Sequence, residues 1–283
     1  MLSPTSAGEP LPPADRSLPP LQAAALGLLQ GPAELLPISS SAHTSAVPWL
    51  LGWRYGELEP ELRKSFEVAL HAGTALALLA SLRRPIPDRQ SALVLWLASA
   101  PPAIAGYVLE GKIERRLGSP ATIAGGLLVG SVAMTVADRR PEERRRRDAR
   151  ASDGLSLGLA QACALVPGVS RAGATRSAAR WLRFHRADAR LLSEEVGLPV
   201  LAGAGLLKGV RLSRGGLESE LVPGFAVGAA ASFASSLVCL RLSRRRGAAR
   251  LLPYAVYRAA LAGLLLIRLR RESRAPRRDS APL

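Results

Sequence analysis

Two short stretches hold side chains that can do chemistry, and both lie in apolar surroundings. In the first, Gln30 and Glu34 are four residues apart and share one helical face. Pro37 breaks that helix, and Ser39-Ser40-Ser41 can begin the next one. Serine is a favoured N-cap, and a helix N-terminus offers free N–H groups and the positive end of its dipole. Ser40 and His43, at i and i+3, can face one spot. In the second stretch Pro167-Gly168-Val169-Ser170 forms another turn into a helix start, followed by Arg171, Thr175 and Arg176. Guanidinium, hydroxyls and helix N-termini together suit an anion with several oxygens, such as a phosphate. A carboxylate in such a site repels the anion, so Glu34 needs another task, either metal ligation or acid–base catalysis.

The surroundings explain why these residues stand out. The chain has 283 residues, 48% of them hydrophobic and only 4% aromatic, with a net charge of +16. That much apolar content excludes long disorder. Two cysteines, Cys163 and Cys239, both in apolar runs, exclude a disulfide scaffold. Ala, Leu and Gly suit helices packed closely in lipid. Among the basic residues only Lys64, Lys112 and Lys208 are lysines. The arginines cluster at 83–84, 115–116, 144–147 and 244–246, between apolar runs and without interleaved aromatics. This is a pattern of membrane-flanking loops rather than of a nucleic-acid surface. A basic surface binder would also leave the two polar stretches unexplained.

Six stretches approach the roughly 20 residues needed to cross a bilayer: 65–82, 91–109, 121–138, 190–210, 221–242 and 251–268. The two chemical stretches, within 21–53 and 154–182, are too interrupted to span and read as re-entrant hairpins. They also echo one another. Leu26-Gly27-Leu28-Leu29-Gln30, Pro37 and Ser39-Ser40 recur as Leu157-Gly158-Leu159-Ala160-Gln161, Pro167 and Ser170, roughly 130 residues later. The expected fold is therefore all-α and integral to the membrane, with about six transmembrane helices and two re-entrant hairpins in an inverted repeat. Its parts are a loose tail (1–20), a first repeat (21–138), a basic cytoplasmic loop (139–153), a second repeat (154–270) and a basic tail (271–283). With the arginine-rich 139–150 inside, the first hairpin opens outward, the second inward, and their tips meet near mid-membrane.

QGPAELLPISSSAH (30–43) and PGVSRAGAT (167–175) resemble the two motifs of the bacterial undecaprenyl-diphosphate phosphatase family of the bacitracin-resistance type. The likeness continues through FEVALHAGTALALL (66–79), Ala137-Asp138, LPVLAGAGLLK (198–208) and PYAVYR (253–258). It implies a plasma (inner) membrane enzyme with an outward-facing site that removes the terminal phosphate of a polyprenyl diphosphate. The product is the monophosphate carrier used in cell-wall synthesis. By the same resemblance, Glu34 is the essential acid, Ser40, His43 and Arg171 are catalytic, and Gln30, Ser39, Ser170 and Thr175 bind substrate. A divalent cation, Mg²⁺ or Ca²⁺, is expected with Glu34 as its ligand. The partners are the lipid and the membrane, with a homodimer compatible and nucleic acid excluded. This chain departs from the family pattern at Gln30, Ala42, Ala172, Arg176 and Glu194-Glu195.

From the residues alone, Ser40 or a water is the nucleophile, and Glu34 or His43 its activator. Glu195 is expected to pair with Arg176 or Arg258. Inverted repeats also occur in transporters, so a lipid-phosphate flippase using the same pocket is the alternative.

Overall fold

The computed structural model describes residues 18–81, 88–215, 219–245 and 250–274. The proposed tail before residue 18, the arginine pair 83–84 and the C-terminal tail beyond 274 lie outside them. Among the described residues each half contributes five α-helices and one short 3-10 helix. The first half holds α1 (Pro20–Leu35), α2 (Ser40–Leu51), α3 (Pro60–Ser81), α4 (Arg89–Leu117) and α5 (Pro120–Ala137). The second holds α6 (Ala151–Cys163), α7 (Arg171–Trp181), α8 (Arg186–Gly215), α9 (Val222–Arg245) and α10 (Leu252–Arg274). Among the described residues the fold is all-helical.

Local chemistry sets the breaks. α1 begins with Pro20 at its first position and ends at Leu36, which turns extended just before Pro37. Ser39 restarts the chain as the N-cap of α2, accepting the Ala42 N–H at 3.4 Å, and Gly52 ends α2 in the left-handed region. Ser170 caps α7 in the same way, accepting the Gly173 N–H at 3.1 Å.

α1 lies along α9, and its counterpart α6 lies along α4. α3 packs on α9 and α8 on α4, while α3 meets α8 and α5 meets α10. Small residues make the α1–α9 approach close: a methyl group on Gly27 would run into the backbone of Gly228 and the side chain of Ala231. α4, α5, α9 and α10 are long and apolar enough to cross a bilayer. α3 and α8 match them in length but are not among the helices apolar enough to do so.

The two ends of the bundle differ. One gathers an apolar cluster of Leu18, Leu26, Tyr55, Phe66, Leu221 and Phe225. The other is ionic. Asp138, at the end of α5, accepts from Arg186 Nε at 2.7 Å and from the Leu251 N–H at 3.1 Å, tying α5, α8 and α10 together. Arg144 grips both oxygens of Asp153 at 3.0 and 2.6 Å. Glu142 receives His185 Nδ1 at 3.0 Å and also pairs with Arg186. Burial works against the Glu142 anion, but the Arg186 N–H and guanidinium outweigh it and hold its pKa below the usual carboxylate value. The arginine-rich segment is thus a paired, folded surface.

Asp138 should matter most at this end. Asp138→Ala takes the carboxylate away from the buried Arg180 and leaves the half-buried Arg186 with Glu142 alone, a loss on the order of 3 kcal/mol. The measurable result is a lower thermal-unfolding midpoint in detergent, recovered only in part by Asp138→Asn; an unchanged midpoint would show the network to be idle.

Candidate active site

Glu34 lies in the last turn of α1 and Arg171 at the first position of α7, and the fold brings them together. Arg171 Nε donates to Glu34 Oε1 at 2.8 Å, with the two side chains 11% and 4% exposed. The Ser40 hydroxyl, at the start of α2, donates to Glu34 Oε2 at 2.6 Å. One carboxylate therefore joins both hairpins. Arg171 also donates to the Ser193 carbonyl on α8 at 3.0 Å. Gly197, one turn along α8, leaves room for it: a β-carbon there would collide with the guanidinium.

The two turns meet directly as well as through side chains. The Gly168 N–H donates to Ser41 Oγ at 3.3 Å. Arg258, fully buried on α10, reaches into the junction. It donates to the carbonyls of Pro37 (3.4 Å), Gly168 (3.0 Å), Gly126 (3.3 Å) and Leu127 (3.3 Å). Its partners are backbone carbonyls of both turns and of α5, so it acts as a clasp. Ser39, at the first turn, has φ 80, a left-handed backbone that a serine adopts only when its surroundings impose it.

The remaining expected site residues divide into two groups. Gln30 is close to the carboxylate: its amide nitrogen lies 3.0 Å from His71 Nδ1, and that nitrogen is 3.5 Å from Glu34 Oε2. Ser39, Ser170 and Thr175 support the frame. Ser39 and Ser170 are N-caps, and Thr175 bonds Ser193 Oγ at 2.6 Å and the Arg171 carbonyl at 2.8 Å. His43 turns away from the expected partnership with Ser40. Its Nδ1 lies 2.7 Å from the Ser39 carbonyl, which can only accept, and its Nε2 lies 2.7 Å from the Tyr257 hydroxyl. The ring therefore braces the strained Ser39, while the hydrogen bond of Ser40 goes to Glu34.

A model of the family described as bacitracin resistance protein BacA matches residues 23–264. The chain belongs to this family. It is 39% identical over 269 residues to a Geobacter sulfurreducens protein named undecaprenyl-diphosphatase, covering 87% of this chain and 97% of that one. A Geobacter metallireducens protein of the same name is 40% identical over 271 residues, with the same coverage. One from Pelotomaculum thermopropionicum is 35% identical over 260 residues, covering 87% and 95%. With its long apolar helices, this BacA-family chain is a multi-pass membrane protein.

The structure also adds partners to the site that local sequence did not mark. His71, which sequence reasoning passed over, belongs to the carboxylate cluster; its only signal was its place inside the stretch 66–79. Ser193 and Tyr257 were silent in the same way, because their roles depend on which helix lies opposite. Glu195 pairs with Arg146 from the 139–150 segment, not with Arg176 or Arg258, and Glu194 takes Arg190 at 2.6 Å. The expected pairing failed because Glu195 lies toward the ionic end of α8. As for a metal, no cluster of three or more acidic, His or Cys ligands occurs among the described residues. A Mg²⁺-type ion needs only one or two carboxylates when a polyphosphate supplies the other oxygens, so Glu34 fits that lesser requirement.

Arg258→Met removes the shared donor from the carbonyls at both turns. Each orphaned buried acceptor costs about 1–3 kcal/mol, so amide exchange in 36–42 and 166–173 should rise roughly ten- to hundredfold. Protection unchanged in both turns would contradict the clasp.

Proposed function

We propose that this chain is an undecaprenyl-diphosphatase, hydrolysing undecaprenyl diphosphate to undecaprenyl phosphate and inorganic phosphate. The observation that carries the reading is the Glu34–Arg171–Ser40 constellation, assembled from two broken helices in a member of this family.

An arriving diphosphate competes with Glu34 for Arg171. The guanidinium fork matches phosphate oxygens, and the starts of α2 and α7 add N–H groups and positive dipole ends. That exchange frees the Glu34 carboxylate beside Ser40. Glu34 takes the Ser40 proton as Oγ bonds to the terminal phosphorus. The bond from that phosphorus to the bridging oxygen breaks, and its electron pair leaves with undecaprenyl phosphate. Glu34 passes that proton to the oxygen of the departing undecaprenyl phosphate and is a carboxylate again. Water then attacks the phosphoserine, and Glu34 takes one water proton and hands it to Ser40 Oγ as the bond from Oγ to phosphorus breaks and inorganic phosphate departs. Arg171 offsets charge on the equatorial oxygens in both steps, the kind of positioning and electrostatics that carries most of phosphoryl transfer. Gln30 and His71 border the carboxylate, Ser170 and Thr175 hold the start of α7, and His43 with Tyr257 holds Ser39. A divalent cation such as Mg²⁺ or Ca²⁺, held by Glu34, would when bound neutralise charge on the diphosphate.

The finer architecture is six spans (α3, α4, α5, α8, α9, α10) and two re-entrant hairpins (α1–α2 and α6–α7) in inverted halves. Chain direction supports it: an odd number of spans separates the hairpins, and Asp138, Leu251 and Arg186 share one end while Leu18, Tyr55 and Leu221 share the other. The arginine-rich end is cytoplasmic by the distribution of positive charge, so α1–α2 opens to the outer face of the plasma membrane.

Phosphate release from prenyl diphosphates in detergent tests the reading. Glu34→Gln and Arg171→Ala should each lower kcat/KM at least a hundredfold; full turnover in both defeats it. Substrate labelled in its terminal phosphate should leave label on wild type but not on Ser40→Ala. If Ser40→Ala turns over normally, water attacks directly. EDTA with metal add-back, run across chain lengths, tests the cation: activity indifferent to both removes it.

A further inference from the structure

On the other face of α1 lies a cavity of about 490 Å³. Gln30 and Glu34 look toward α3, whereas Leu28, Pro32 and Leu36, spaced four apart on the opposite stripe, line this cavity. Its far wall is α9, with Val238 and Leu242, which like Leu28 are exposed on the bundle surface that faces lipid. Its inner wall is basic: Arg176 and Arg180 from α7, and Arg186 and Arg190 from α8.

The charges in that wall are incompletely matched. Asp138 and Glu142 serve Arg186, and Glu194 serves Arg190. Asp138 is 3.8 Å from Arg180, which otherwise spends its donors on carbonyls of Arg140 and Phe184. Arg176, 7% exposed, donates to the Leu35 carbonyl at 2.6 Å and has no ion pair of its own among the described residues. The Nε atoms of Arg176, Arg180 and Arg190 are all buried without a hydrogen-bond partner. Buried guanidiniums with unmatched donors at membrane depth are costly unless something anionic completes them. The apolar stripe of α1 and α9 beside them is open toward the bilayer, which suits a hydrocarbon chain rather than a free ion.

We propose that this cavity binds a lipid phosphate monoester: a doubly charged phosphate at the Arg176–Arg190 wall, with one apolar chain along Leu28, Val238 and Leu242. A monoester matches the wall better than a phosphodiester, since it brings two charges and three terminal oxygens to several forks. The site is separate from the Glu34 cluster and lies behind α1, and the proposal does not rest on the reading of that cluster as a phosphatase.

The test is native mass spectrometry of the full chain in detergent, titrated with dodecyl phosphate. Arg171→Ala serves as the background, so that the first site is disabled. One dodecyl phosphate per chain should still bind. Arg176→Gln with Arg190→Gln should weaken it at least tenfold. So should Val238→Trp, which fills the chain's path at an exposed position and keeps every arginine. Dodecanol, inorganic phosphate and dioleoyl phosphatidylglycerol should each bind at least tenfold more weakly. Equal affinity for dodecanol would mean an apolar groove only, for inorganic phosphate an anion site without a lipid, and for the diester a general phospholipid contact; each overturns the proposal. Affinity unchanged in both variants overturns it as well. The phosphate-release assay on Glu34→Gln reports separately on the first site, so failure of either reading is visible without the other.

Discussion

A carboxylate and a guanidinium meet inside an apolar bundle, each donated by a different half of the chain, and most of the architecture serves that meeting. Either group alone would be expensive at that depth. Together, with the Ser40 hydroxyl on the second carboxylate oxygen, they satisfy one another at 2.8 and 2.6 Å. Such a pair contributes little to net stability, because desolvation offsets attraction. Its value lies in position. It fixes two helix starts against one helix end, and it is open to competition from an anion that suits the guanidinium better than a carboxylate does.

Holding two broken helices tip to tip leaves irregular backbone inside the bundle, whose carbonyls need partners. The chain meets this requirement with side chains drawn from elsewhere. Arg258 gives its donors to carbonyls of both turns and of α5, and His43 takes the Ser39 carbonyl while leaning on Tyr257. The left-handed Ser39 marks where strain is concentrated, and it is the residue that launches the helix carrying Ser40. α10 thus controls the site without supplying a group to the carboxylate cluster.

The helix α1 divides the interior. Its Gln30–Glu34 stripe faces the reactive cluster, and its Leu28–Pro32–Leu36 stripe faces the arginine-lined cavity. Leu35, whose carbonyl takes Arg176, lies between them beside Glu34. α1 therefore separates the carboxylate cluster from the arginine-lined cavity. The ionic end nearby, with Asp138 and Asp153 matching arginines, shows that many of the excess positive charges are structural in use.

Much of this was written in local sequence. Helix breaks at Pro37 and Pro167, N-caps at Ser39 and Ser170, and the apolar runs all follow from short-range rules of backbone geometry and hydropathy; the structure keeps the breaks and the caps, and four of the six expected runs are helices long and apolar enough to cross a bilayer. What local rules cannot encode is which faces end up opposite each other. His71 joined Glu34, Glu195 went to Arg146, and His43 went to Tyr257 rather than Ser40, because those partners lie far along the chain and are chosen by how helices pack. The sequence by itself determined the helices, their interruptions and the reactive residue types. Only the tertiary structure decided the pairings, since a buried charge takes the partner that packing brings within reach.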